Sequence, residues 1–216
     1  MPLSYLVNLT VTHEPAIVVG AGTVALRKVL GLLDAGAEVT VIAPHLCEGI
    51  KELADSGKVT ARQRPYQAGD LAGFRLAIAA TDDEEVNRRV SQDARALGVP
   101  INVVDRPALC TFTLPATVKR GDLTLAVATE GRCPALARAL REELGERYGE
   151  DYARLVEFMG RLRDEMILRG WESERIQAAL SSLHAKGLIR YLDPAGRDAL
   201  EGFVGAELGG DFPVPP

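Results

Sequence analysis

Three groups of residues in this sequence have types and spacings that chemistry can use. The first is Gly20-Ala21-Gly22, with Ala25 three positions on, at the end of the apolar run "AIVV". Gly20 permits a sharp turn out of a strand, Gly22 leaves room for a pyrophosphate to touch backbone amides, and Ala25 still allows close helix packing. Thr23 and Val24 then open a helix whose positive end faces the phosphates. The second is Asp105, directly after the apolar run "INVV", where side chains at the carboxyl end of a parallel strand face a ligand crevice. Its carboxylate is a candidate general base, and the alternative is a turn residue before Arg106-Pro107. The third is "TEGRCPALARALR", which sets Thr129, Gly131, Arg132 and Cys133 at a helix entrance led by Pro134, with Arg138 and Arg141 further along. Amides, helix dipole and guanidinium together suit an anion there, although exposed arginines are also ordinary surface residues.

What is missing narrows the chemistry further. A dinucleotide fold usually carries an Asp or Glu at the end of its second strand for the ribose hydroxyls, but here Pro44 and His45 stand there. Ribose contacts then fall to backbone groups or imidazole. With no carboxylate to exclude a 2′-phosphate, the residues alone leave NAD against NADP open. Cys47, Cys110 and Cys133 are odd in number and lack close pairing, which argues against a disulfide framework or a cysteine zinc cage and for free thiols in a reducing compartment. His13, His45 and His184 are scattered, so no metal site is expected. A net charge of −5 over 216 residues, with pI near 5.3, gives no global attraction for nucleic acid or an anionic membrane. The amino terminus has no basic leader pattern and no apolar run approaches a membrane span, which predicts a cytoplasmic protein.

The elements needed to position these groups are readable as an α/β pattern. "AIVV", "EVTVIA", "LAIAA" and "INVV" read as strand cores, and "TVALRKVLGLLDAG", closing at Gly36, and "DDEEVNRRVSQDARALG" read as amphipathic helices between them. Asp82 with Glu85 reads as a capping box. This predicts a Rossmann-like, doubly wound parallel sheet over residues 1–110. Residues 111–146 change texture: "TFTLPATV" and "LTLAVAT", joined through Lys119-Arg120-Gly121-Asp122, read as a β-hairpin followed by the helix "PALARALREEL". Tyr148, Tyr152, Leu155, Met159, Leu162 and Met166 form an apolar stripe on one long helix, either core packing or a subunit interface. Two short helices capped by Ser173 and Asp193, with Gly187 as a stop and Pro194 in a first turn, complete a small helical domain over 147–208. Residues 209–216 read as a flexible tail.

Taken in order and with their separations, "VVGAGTVALRK", "LAIAATDDEEVN", "NVVDRP" and "TFTLPATVKRGDLTLAVATEGRCPALARALREEL" closely resemble the dehydrogenase and ferrochelatase domain of siroheme synthase, the precorrin-2 dehydrogenase family. The similarity covers roughly residues 3–145. It implies NAD-dependent oxidation of precorrin-2 to sirohydrochlorin, followed in some members by Fe²⁺ insertion, in a homodimer whose 111–146 region carries dimerisation and the substrate cleft. The resemblance further implies that Thr23, Val24, Pro44 and His45 meet the cofactor and that Asp105 is catalytic; with the glycine loop the candidate cofactor set is Gly20, Gly22, Thr23, Val24, Pro44, His45, Thr81 and Asp82, and the charge at the α-helix entrance makes Thr129, Arg132 and Arg138 the candidate substrate contacts. Two departures stand out. Ala21 replaces the middle glycine of a common triplet, and Glu130 replaces a frequent glycine. Another nicotinamide-dependent dehydrogenase and a non-catalytic nucleotide-sensing module share the glycine motif and are the alternatives.

Overall fold

A computed structural model describes residues 4–192, 196–210 and 212–214. They fall into two compact units, Met1–Leu114 and Pro115–Pro216. In the first, β1 (Pro15–Val19), β2 (Glu38–Ile42), β3 (Val59–Arg62), β4 (Leu76–Ala79) and β5 (Ile101–Val103) form one parallel sheet in the order β3-β2-β1-β4-β5. Three helices accompany it, α1 (Thr23–Asp34), α2 (Glu48–Asp55) and α3 (Glu84–Leu97).

The strands are apolar on both faces because both faces are covered. Ala16 and Val18 join Val39 and Val41 in a core shared with Val29 of α1 and Ile50 of α2. Ile17 and Val19 point the other way, into a second core with Val90 and Ala94 of α3 and with Tyr66 and Leu71. These last two belong to the β3–β4 connection, which covers its part of the sheet without a helix. That loop is organised by Asp70, whose carboxylate accepts from Arg64 Nη1 at 2.7 Å and from the Gln67 amide at 2.8 Å. Tyr66 donates to Asp93 of α3 at 2.7 Å, and burial pushes its phenol well above the usual range.

The doubly wound sheet is as the sequence predicts, with local corrections. Strand β3 and helix α2 are additional elements. The cap of α3 is Asp83, not the Asp82–Glu85 box: Asp83 Oδ1 accepts from the Glu85 amide at 2.9 Å and the Val86 amide at 3.1 Å. The Thr81 hydroxyl accepts from the Asp83 amide, which holds the chain outside the helix for one residue more.

The second unit opens with an antiparallel hairpin, β6 (Ala116–Arg120) and β7 (Leu123–Val127), followed by α4 (Pro134–Arg147), α5 (Asp151–Leu168), α6 (Ser173–Ala185) and α7 (Arg197–Leu208). Lys119 and Arg120 lie within the strand, and the turn is Gly121-Asp122, where Gly121 takes φ +53°. The apolar stripe is split. Tyr148 lies in a break beside Gly149, a poor helix former, and meets Tyr152 edge-on at 4.9 Å across it. Leu155, Leu162 and Met166, joined by Phe158, enter the core of this unit with Ile176, Leu183 and Val204 of the other helices. Ser173 is the first residue of α6 rather than its cap, which is Glu172. Asp193 and Pro194 lie outside the described residues. The tail is not wholly loose, since Phe212 is buried edge-on against Trp171 at 5.6 Å.

Candidate functional site

Chain order in the sheet reverses at β1, between β2 and β4, and a crevice opens there at the carboxyl ends of the strands. Gly20 is required by the fold itself. Its φ is +111°, and a Cβ on it would sit 2.2 Å from the Ala80 carbonyl oxygen, so the turn leaving β1 lies directly on the end of β4. Gly22 differs in kind. It is the extended cap residue of α1, and a Cβ on it would meet nothing within 4 Å. The first turn of α1 has no acidic residue and its cap offers no side-chain acceptor, whereas α3 has both Asp83 and two glutamates. The positive end of α1 is therefore left for an anion from outside, over an open glycine.

A cleft of about 250 Å³ lies beside this turn, and Val24, Thr81, Asp82 and Asp105 all line it. Thr81 is fixed from below by the buried Asn87, whose amide nitrogen donates to the Thr81 carbonyl at 2.9 Å. Pro44 and His45 are exposed at the end of β2, and the Pro44 carbonyl accepts from Gln63 at 3.3 Å.

Asp105 is the third residue of a tight turn closed by the Arg106 amide on the Val103 carbonyl at 3.2 Å. Its φ is +57°, a left-handed conformation that favours glycine or asparagine. The Cys110 thiol braces the turn, with Sγ 3.2 Å from the Val103 amide and 3.4 Å from the Arg106 carbonyl. Asp105 thus combines a left-handed backbone, a turn braced by Cys110 and a place in the lining of the cleft. Arg106 and Glu84 also line the cleft and pair with each other there.

Sequence reasoning missed two features of this site. Lys28 follows Val24 by one helical turn, and burial lowers the pKa of its ammonium, Arg27 adding to the effect and the Asp105 carboxylate opposing it. The Glu84–Arg106 pair joins residues 22 positions apart, with no local signal to announce it.

The anion-binding residues of the sequence reading lie in the second unit. Arg132 donates its amide to the Thr129 carbonyl at 2.8 Å, and Thr129 Oγ1 accepts from the Cys133 amide at 3.3 Å, forming the turn that enters α4. Glu130 and Gly131 both take positive φ, +51° and +71°, so Glu130 occupies a position where glycine is unstrained. Arg138 pairs along the helix with Glu142 at 3.0 Å, and Arg141 shares that carboxylate. Arg120 of the hairpin caps the end of α4, donating to the Tyr148 and Gly145 carbonyls at 3.0 Å each.

A parallel sheet in this order, with an uncapped helix over an open glycine at its reversal point, defines a Rossmann-type nucleotide-binding domain. Residues 7–116 match the family model described as "Putative NAD(P)-binding". The chain is 44% identical over 158 residues to the siroheme synthase of Nitrosococcus oceani, covering 73% of this chain and 34% of that one. To the siroheme synthase of Pseudomonas putida it is 47% identical over 150 residues, covering 69% and 32%. It thus spans about a third of the length of these relatives. Among solved structures it is similar to "SirC, precorrin-2 dehydrogenase", with TM-score 0.75 and 25% identity over 94% of this chain and 100% of that one. The chain belongs to the NAD(P)-binding family that this model describes, and its cofactor is a nicotinamide dinucleotide.

Proposed function

We propose that this chain oxidises precorrin-2 to sirohydrochlorin, with NAD as cofactor. The observation that carries the reading is the cleft beside the uncapped turn of α1, into which a strained Asp105 is held. When bound, the dinucleotide supplies the hydride acceptor. Gly20 and Gly22 admit its pyrophosphate to the amides of Thr23 and Val24; Thr81 and Asp82 line the adjoining wall, and Pro44 and His45 flank the ribose position. Asp105 takes the proton that leaves as the ring edge is unsaturated, a task that needs orientation and one modest base. Thr129, Arg132 and Arg138 meet substrate carboxylates. Fe²⁺, where chelation follows, is a second substrate, with Asp105 accepting pyrrole protons. Among the described residues no group of three or more His, Cys, Asp or Glu could hold a metal ion, and no helix is long and apolar enough to cross a membrane. The working unit is proposed to be a homodimer, in which Leu136 and Leu140, exposed one turn apart on α4, are covered.

The test is spectroscopic. Precorrin-2 with NAD and the purified chain should give the sirohydrochlorin spectrum with equimolar NADH, and parallel reactions with NADP and with Fe²⁺ separate cofactor choice and chelation from oxidation. Absence of any spectral change with authentic substrate would sink the proposal.

A further inference from the structure

The cleft presents an electrostatic puzzle. Among the described residues its lining carries three carboxylates, Asp82, Glu84 and Asp105, and one guanidinium, Arg106, while Lys28 lies outside the lining and acts on Asp105. A tetrapyrrole bearing several carboxylates would be repelled from such a lining unless something in it held one of those carboxylates. Arg106 is placed for that task. It follows Asp105 directly, and its Nη1 donates to the Asp105 carbonyl at 3.2 Å, which folds the guanidinium over the turn that carries the base. Its Nη2 donates to Glu84, which lines the same cleft. Both partners are half exposed, 49% and 53%, so their attraction is screened and readily exchanged.

Glu84 is also provided for when Arg106 departs. Its carboxyl is held below the usual carboxylate range by the Arg106 hydrogen bond first, and Arg88 contributes as well from 3.1 Å. Glu84 therefore keeps a cation, and the exchange strands no charge. A guanidinium also suits the task better than an ammonium, since its planar fork matches a carboxylate with two parallel bonds.

We propose that Arg106 is the carboxylate anchor of this cleft, with Glu84 as the internal stand-in that a carboxylate of the tetrapyrrole displaces. This rests on the reading of the substrate as precorrin-2. Arg106 thereby sets substrate affinity rather than the rate of proton or hydride transfer, and Glu84 competes with the substrate for it.

Two readouts test this, the steady-state constants for precorrin-2 and the Kd of sirohydrochlorin measured by absorbance titration without turnover. Arg106→Ala should raise both KM and Kd about 10–100-fold, as expected for a charge-assisted contact, with kcat within about threefold. Arg106→Lys should fall between it and the native chain. Glu84→Gln should lower KM and Kd about 2–5-fold, the scale of an exposed ion pair. The double variant should match Arg106→Ala alone, because Glu84 acts only through Arg106. Unchanged constants in a folded Arg106→Ala chain would overturn the proposal. So would a weaker-binding Glu84→Gln, which would make the pair a mere brace for the Asp105 turn. If the native chain binds sirohydrochlorin but does not oxidise precorrin-2, the functional reading fails while the titration still decides Arg106; if it binds no sirohydrochlorin, both fail.

Discussion

Asp105 carries two demands that pull in opposite directions. Its backbone wants glycine or asparagine at φ +57°, and its proposed chemistry wants a carboxylate. Asp105→Asn is therefore the clean probe. It should unfold in urea within about 0.5 kcal/mol of the native chain, since asparagine tolerates the left-handed region, yet oxidise precorrin-2 roughly 10²–10⁴-fold more slowly. Asp105→Ala should lose about 1–2 kcal/mol of stability from the same backbone, which makes it the poorer variant for judging catalysis. Native turnover in the Asn chain would return Asp105 to the role of a turn residue. The two glycines of the α1 turn separate in the same way. Gly20→Ala should cost about 3 kcal/mol or more, because its methyl has only the Ala80 carbonyl to move into. Gly22→Asp has open space around it and should stay folded, but it puts a side chain and a negative charge on the approach to the α1 amides. Calorimetric titration should then show NAD binding abolished at an unchanged melting temperature; retained affinity would refute the pyrophosphate position.

Elements announced themselves in the sequence in proportion to how much apolar periodicity they carried. β1, β2, β4 and β5 are largely apolar runs buried on both faces, and α1 and α3 are followed by glycines at φ +78° and +69°, so composition and caps agree. β3 is four residues long with one fully buried side chain, and α2 buries only Ile50 fully, so neither rises above the polar background of residues 48–62. The β3–β4 loop was illegible for another reason: its fold depends on an ion pair between Arg64 and Asp70 rather than on periodicity. In the candidate site, glycine spacing and the strand end singled out Gly20, Gly22 and Asp105, which the fold brings to the α1 turn and the cleft beside it. Lys28 and the Glu84–Arg106 pair depend on which residues the sheet brings together, and a linear pattern holds no trace of that. Asp70 gives the loop a pH signature. The Arg64 hydrogen bond, with the Gln67 amide, holds its carboxyl below the ordinary 3.8. A carboxyl depressed in the fold contributes stability above its unfolded pKa and loses it as the pH falls through the folded value. Stability should thus drop on acidification below about pH 4, and Asp70→Asn should flatten that limb while costing about 2 kcal/mol at neutral pH. An unchanged acid limb in calorimetric scans would show that other carboxyls control it.

At the scale of the whole molecule, the first unit has two cores of its own, one on each face of its sheet, and the glycine turn and the cleft both belong to it. Residues 1–114 expressed alone should therefore fold and bind the nicotinamide dinucleotide with Kd within about tenfold of the full chain, or ~1.4 kcal/mol. An unfolded fragment, or one blind to the cofactor, would show that the second unit completes the binding surface. The order of the strands also has a consequence in time. β1 is the middle of the sheet, yet Leu76, which begins its second neighbour, lies 57 positions after Val19. At a ribosomal pace of about 5–20 residues per second, the inner edge of "AIVV" waits roughly 3–11 s for its partner strand to be synthesised. Throughout that interval the nascent polypeptide offers a neighbouring polysome product an apolar edge to pair with, which makes the first seconds of synthesis, rather than the finished fold, the period of greatest exposure to aggregation.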